Sequence, residues 1–182
     1  MPSQGEEEDE EEEGSLLRPL KLIALLCASL ALALDAAALG SPAWVTSQED
    51  SLALWQTCRR HQDGGAWQCH SALQTDWQIA TLVLILTAAT ITLLSFFMSL
   101  ISFCLGTYKR YYRVIAVLLF AAVVLQVCAL ILYPIKFIDS NQLRSYHEFS
   151  WGYGLGWGSV IFMLGAAILY CLRIDVYEEA YH

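Results

Sequence analysis

Ile79-Ala80-Thr81-Leu82-Val83-Leu84-Ile85-Leu86-Thr87-Ala88-Ala89-Thr90-Ile91-Thr92-Leu93-Leu94-Ser95-Phe96-Phe97-Met98-Ser99-Leu100-Ile101-Ser102-Phe103-Cys104-Leu105 runs for 27 residues without a charge. At 1.5 Å per residue, about 20 such residues cross a hydrocarbon core of about 30 Å. Two further uncharged runs are as long as a crossing requires, Val114 to Ile135 with 22 residues and Phe149 to Leu172 with 24. A fourth segment, Leu20 to Gly40, is apolar apart from Lys21 and Asp35. Only helices satisfy all their own backbone hydrogen bonds in lipid. The four segments therefore predict transmembrane helices over about 20–40, 78–105, 113–134 and 150–172. The first is read as uncleaved, because its apolar stretch is longer than that of a signal peptide and is preceded by acidic residues.

Composition agrees. Of 182 residues, 57% are hydrophobic and 15% charged, where a soluble domain has about 25% charged. The net charge of −8 comes from one run, Glu6 to Glu13, which holds eight of the 18 acids; the other ten balance the ten bases. With no basic face to assemble, nucleic-acid binding is excluded, and so is a soluble enzyme with a polar cleft. A block of like charges repels itself and buries nothing, so residues 1–15 are expected to be a disordered tail. Residues 173–182 form a second tail, read as too short to fold.

An even number of spans puts both termini on one side. Placing them in the cytoplasm gives that side Arg18, Lys21, Lys109, Arg110, Arg113 and Arg173, and leaves Arg59, Arg60, Lys136 and Arg144 outside, as the positive-inside rule prefers. Cys58 and Cys69 alone among six cysteines lie well outside a helix, both in the first connecting loop, 41–77. A disulfide there requires an oxidising compartment, which also puts that loop outside the cell. Closing so short a loop is worth about 3 kcal/mol. The rival reading is a zinc site completed by His61 and His70; in this setting the disulfide is preferred. Around the cysteines, Trp44-Val45-Thr46 and Leu52-Ala53-Leu54-Trp55 carry aromatic and β-branched residues in rough alternation, and Asp63-Gly64-Gly65 signals a turn. They predict a small antiparallel sheet, with Trp44, Trp55, Trp67 and Trp77 in its thin core or in the interfacial aromatic belt. The second outer loop is expected over 134–149.

The pattern Trp44, then Leu54-Trp55-x-x-Cys58, then Cys69 after ten residues, set in the first outer loop of a four-helix protein, resembles the claudin and peripheral-myelin-protein superfamily. Ala53 stands where the family has glycine. Ser41-Pro42-Ala43-Trp44-Val45, Asp76-Trp77-Gln78-Ile79-Ala80-Thr81, Leu132-Tyr133-Pro134-Ile135-Lys136-Phe137-Ile138, Tyr146-His147-Glu148-Phe149 and Trp151-Gly152-Tyr153-Gly154-Leu155 resemble a junction-associated branch of it. The resemblance implies an all-α membrane protein: a left-handed four-helix transmembrane bundle with a small extracellular antiparallel β-sheet. It also implies residence in the plasma membrane at cell–cell junctions, a non-enzymatic role in adherens- or tight-junction assembly and adhesion, and no cofactor. The partners it implies are the lipid bilayer, junctional membrane proteins, cytoplasmic junction proteins and further copies of the chain. The alternative is an auxiliary subunit of a channel or receptor, a role that other branches take on the same scaffold.

Several positions inside the spans call for an account. Asp35 lies about 22 Å along the first helix and Gln126 about 18 Å along the third, near the same depth, so the pair is expected to form a polar clasp. An acid in lipid costs a few kcal/mol unless it faces the bundle, and a proton relay would need ionisable groups that the other helices lack. Gly152, Gly154, Gly156 and Gly158 supply two Gly-x-x-x-Gly pairs, expected to pack within the bundle. Cys104 and Cys171, at the cytoplasmic ends of their helices, are candidates for palmitoylation. Cys27 and Cys128 are read as small packing residues. Glu49, Asp50, Arg59, Arg60 and Asp63 nearly balance in sign, three acids against two bases, and form no selective ring. No catalytic group and no metal site beyond the zinc alternative is identified.

Overall fold

The computed structural model describes residues 4–47, 50–60, 66–105, 109–140 and 148–179, and their side chains over 19–47, 50–60, 66–73, 75–105, 111–139 and 148–172. Four helices carry the chain: α1 (Gln4–Gly40), α2 (Asp76–Leu105), α3 (Lys109–Ser140) and α4 (Trp151–Glu179). Each contains a stretch long and apolar enough to cross a bilayer: Pro19–Gly40, Asp76–Leu105, Tyr111–Asp139 and Trp151–Leu172. The protein is a multi-pass membrane protein.

Beside Leu82, Ala116, Leu130, Phe137, Val160 and Ala167, the buried residues of the helices form rows at alternating steps of three and four. In α1 they are Ala24, Ala28, Ala31, Asp35 and Ala38; in α2, Gln78, Thr81, Ile85, Ala88, Thr92, Ser95, Ser99 and Ser102. In α3 the row is Tyr112, Ile115, Leu119, Ala122, Gln126, Ala129 and Tyr133, and in α4 it is Gly152, Gly156, Ser159, Met163, Ala166 and Tyr170. A repeat of 3.5 residues keeps one seam turned inward when helices coil left-handedly. Lipid tails are as apolar as leucine, so hydrophobicity alone does not select the seam; beside Ile85, Ile115, Leu119 and Met163, small and hydroxyl-bearing residues take many of its positions because they let backbones approach and can bond across. Leu22, Leu26, Val83, Leu94 and Val117 face outward instead.

The helices meet as a ring in which α1 packs along α4, α4 along α3 and α3 along α2, while α1 touches α2 only sparsely. Polar contacts tie the ring across. Ser159 donates to the Ala31 carbonyl at 3.1 Å, the hydroxyls of Ser99 and Tyr170 bond to each other, and the Thr92 hydroxyl lies 3.1 Å from Met163 Sδ.

At one end of the bundle sits an antiparallel sheet of β1 (Val45–Thr46), β2 (Asp50–Leu52), β3 (Gln56–Arg60), β4 (Trp67–Ser71) and β5 (Glu148–Phe149), in the order β4-β3-β2-β1-β5. A single 3-10 turn at Ala72–Gln74, capped by the Ser71 hydroxyl accepting from Leu73 N, leads into α2.

Four sequence expectations change. The acidic run is helical: α1 begins at Gln4, because glutamate is a good helix former and acids near a helix N-terminus complement its dipole. The segment after Leu172 continues α4 to Glu179, extending a helix already nucleated. The sheet has a fifth strand: β5, from the connection between α3 and α4, pairs with β1 through Val45 opposite Phe149. Finally, α3 continues through Pro134 to Ser140 rather than opening a loop there. Proline has no N–H and leaves the carbonyl four residues earlier without its donor. That carbonyl is Leu130 O, and the Tyr153 hydroxyl of α4 donates to it at 2.9 Å. The helix crosses its proline because a neighbour supplies the missing hydrogen bond.

Tyr153→Phe removes that donor alone. It is expected to lower stability by about 0.5–1.5 kcal/mol, the range for a hydrogen bond inside a membrane bundle. Unfolding in mixed micelles would measure it; a change near zero would mean that water supplies the proton.

Candidate functional site

The chain leaves α1 at Gly40 and turns through Ser41, whose hydroxyl donates to the Ala43 carbonyl at 3.1 Å. A helix ends with carbonyls that have no partner of their own. Here two indoles supply them. Trp44 Nε1 donates to Ala38 O at 2.8 Å, and Trp55 Nε1 donates to Leu39 O at 2.8 Å. The spacing between Trp44 and Trp55 is thus the length of β1, β2 and the turn that brings the second indole back over the same helix end.

Trp44 is fully buried, as is Leu54. The Trp44 ring centre is 5.1 Å from that of Tyr133 on α3 and 5.9 Å from that of Tyr153 on α4; Trp77 closes the group at 5.6 Å from Tyr133. One side chain therefore caps α1, anchors the sheet and packs against two other helices. Trp55 and Trp67 stand 43% and 51% exposed, so the tryptophans divide between core and surface. Tyr133 and Tyr153 are the members that the loop pattern does not mark, since they reach the group from α3 and α4.

Cys58 and Cys69 are joined by a disulfide and face each other directly in the β3–β4 register, with Cα atoms 4.0 Å apart. Their sulfurs are thereby spent, which removes the zinc alternative. His70 lies on β4 opposite Thr57; His61, the Asp63-Gly64-Gly65 turn, Glu49, Tyr146 and His147 fall outside the described residues. Arg59 Nε donates to Asp50 Oδ1 at 2.8 Å across β2 and β3, an exposed pair worth 0–1 kcal/mol.

Within the bundle, Gln126 Nε2 donates to Asp35 Oδ1 at 2.9 Å, and both residues are fully buried. Ser159 stands beside the same carboxyl. The glycines of α4 divide. A Cβ on Gly152 would lie 2.6 Å from the Ala43 carbonyl oxygen, one on Gly156 would lie 2.9 Å from Leu130, and one on Gly158 would touch Leu34 at 3.4 Å. Gly154 has nothing within 4 Å. It does not pack in the bundle, because two residues along a helix turn a position to the far side. Cys104 is an exposed free thiol and Cys171 a half-buried one, and Cys27 packs at the edge of the core. Cys128 faces outward instead of packing, at a position off the buried row of α3.

Four spans, a sheet seated on one end, two indoles on the end of α1 and a disulfide between β3 and β4 make a combination that can be compared with known proteins. The sequence pattern of the PMP-22/EMP/MP20/Claudin family matches residues 18–170. The chain belongs to this family. The match takes in all four spans and the sheet and leaves out the acidic N-terminal extension of α1. Among the relatives of this claudin-family chain is the p53 apoptosis effector related to PMP-22 of Danio rerio, 34% identical over 131 residues that cover 70% of this chain and 69% of that one.

Two changes test the claudin-family assembly of sheet on bundle. Trp44→Phe keeps the ring but leaves Ala38 O with the Ser41 N–H at 3.3 Å as its remaining donor, and is expected to lose about 0.5–1.5 kcal/mol. Gly152→Val forces a side chain into the α1–β1 connection and is expected to lose about 1–3 kcal/mol or more, whereas Gly154→Ala stays within about 0.5 kcal/mol. Thermal unfolding of the purified variants separates them; equal losses at Gly152 and Gly154 would contradict this packing.

Proposed function

We propose that this chain is a non-enzymatic plasma-membrane protein that organises cell–cell junctions, with the sheet outside the cell and both termini in the cytoplasm. The observation that carries the reading is the edge that the sheet leaves unpaired among the described residues. β4 lies at the end of the strand order, all five of its residues are exposed, and the disulfide fastens it to β3. A row of unpaired backbone groups on a rigid strand is a template for strand addition, and Trp67 adds an aromatic anchor of the kind enriched at interfaces. Rigidity matters because ordering a loose loop on contact would subtract from its affinity. The disulfide supports the outward orientation, since such bonds persist in oxidising compartments. The exposed Cys104, at the opposite end of the bundle, remains a candidate for palmitoylation, as does Cys171.

A second reading takes its support from the Danio rerio relative, whose name is that of an apoptosis effector: the chain would then act in a cell-death response. Imaging of tagged protein in contacting and isolated epithelial cells discriminates. The junctional reading expects enrichment at cell borders, lost in a Cys58→Ser/Cys69→Ser variant that still reaches the surface. Uniform surface staining of both proteins would overturn it.

A further inference from the structure

At the end of the bundle opposite the sheet, polar groups from all four helices meet in one layer. The rings of Tyr112 on α3 and Tyr170 on α4 stack with centres 6.1 Å apart, and Lys21 Nζ of α1 lies 5.9 Å from the centre of the Tyr112 ring. The Ser99 hydroxyl of α2 bonds to that of Tyr170. Residues three apart are neighbours on one face of a helix. One turn nearer the helix ends, the same four faces therefore carry Arg18 on α1, Ser102 on α2, Lys109 on α3 and Arg173 on α4.

Three of these four positions are bases, and each stands just outside an apolar span: Arg18 before Pro19, Lys109 two residues before Tyr111, Arg173 after Leu172. That is the level of the lipid headgroups. No acid lies three or four residues from any of the three on its own helix. The acidic run does not turn back over them either. α1 is helical from Gln4 through Pro19, which places Glu6 to Glu13 about 8–18 Å beyond Arg18 along the helix. Ser102 is 2% exposed, and its hydroxyl has no hydrogen-bond partner among the described residues. A buried donor without an acceptor is costly. The positive-inside rule asks for bases at this end but not for this placement; Arg110, two residues from Tyr112, falls on the other side of α3.

We propose that this mouth of the bundle binds an anionic lipid whose headgroup carries phosphate monoesters, that is, a phosphorylated inositol lipid. Each such phosphate brings close to two negative charges and three strong acceptor oxygens, which suits several bases and an uncommitted hydroxyl gathered about one axis. The source is a lipid because the bases border apolar spans, along which acyl chains lie, and basic clusters in that position recognise such headgroups. The cellular supply of the lipid rests on the cytoplasmic placement of this end proposed above; the binding itself does not.

The test reconstitutes the full chain in bilayer discs with the same lipids in both leaflets, so that orientation has no bearing and failure of the junctional reading leaves the result untouched. Energy transfer from a dye on the C-terminal tail measures association of fluorescent phosphatidylinositol bisphosphate, and of fluorescent phosphatidylserine at equal bilayer charge. The bisphosphate lipid is expected to bind about ten-fold more tightly, and Lys109→Gln and Arg173→Gln each to lower that preference about five-fold. Arg110→Gln removes the same charge from the other side of α3 and is expected to leave the preference unchanged. Equal binding of the two lipids to the wild type would overturn the proposal, as would an equal loss of preference in Arg110→Gln and Arg173→Gln, since attraction would then be diffuse. Displacement of the bisphosphate lipid by soluble inositol trisphosphate at the same concentration would overturn it too, because the ligand would then come from solution.

Discussion

A bilayer offers no hydrogen bonds, and the fold is arranged around the helix carbonyls that this leaves in need of donors. Ala38 O and Leu39 O at the end of α1 receive the indoles of Trp44 and Trp55. Leu130 O, stripped of its helical donor by Pro134, receives the hydroxyl of Tyr153. In each case the donor comes from a different element from the acceptor. Satisfying the backbone therefore ties the sheet to α1 and α4 to α3, and what begins as a local deficit becomes a tertiary contact.

The same economy shapes the helix seams. Alanine, serine, threonine and glycine take many places in the inward rows, beside Ile85, Ile115, Leu119 and Met163, while Leu22, Val83, Leu94 and Ile161 are among the residues turned to the lipid. Small residues are favoured at the close approaches because packing density and short polar contacts are all that helices gain over lipid by meeting. Trp44 is the largest of the fully buried side chains, set where sheet and bundle join, and its value there is that it fills space and donates a hydrogen bond at once. Beyond the helix ends the requirement shifts to rigidity: the thin sheet has little core of its own, so the Cys58–Cys69 bridge ties β4 to β3, while the aromatic group around Trp44 seats the β1 side on the bundle.

Much of this was legible from composition and spacing. The four uncharged runs announced their helices because crossing length is a one-dimensional property. Cys58 and Cys69 announced their pairing because they alone stood outside the spans, and Asp35 and Gln126 announced theirs because depth can be counted along a helix. Other features were not legible. The pairing of β5 with β1 involves two residues with no alternation to read, and the continuation of α3 through Pro134 depends on a tyrosine 19 residues further along the chain. Spacing alone did not distinguish Gly154, which faces outward, from Gly152 and Gly156, because a glycine pair marks close approach only when a neighbour occupies that side.

What the sequence by itself determined is the number of crossings, their limits to within a turn except at the end of α3, the covalent staple and the family to which the chain belongs, all of which rest on local hydrophobicity or on residue identity. What only the tertiary structure decided is which carbonyl each tryptophan and tyrosine serves, which seam closes tightly and which stays open, and that Asp35 keeps one oxygen unpaired beside that open seam. The reason is that a hydrogen-bond donor or a cavity is defined by groups far apart in the chain, and only folding sets the distance between them.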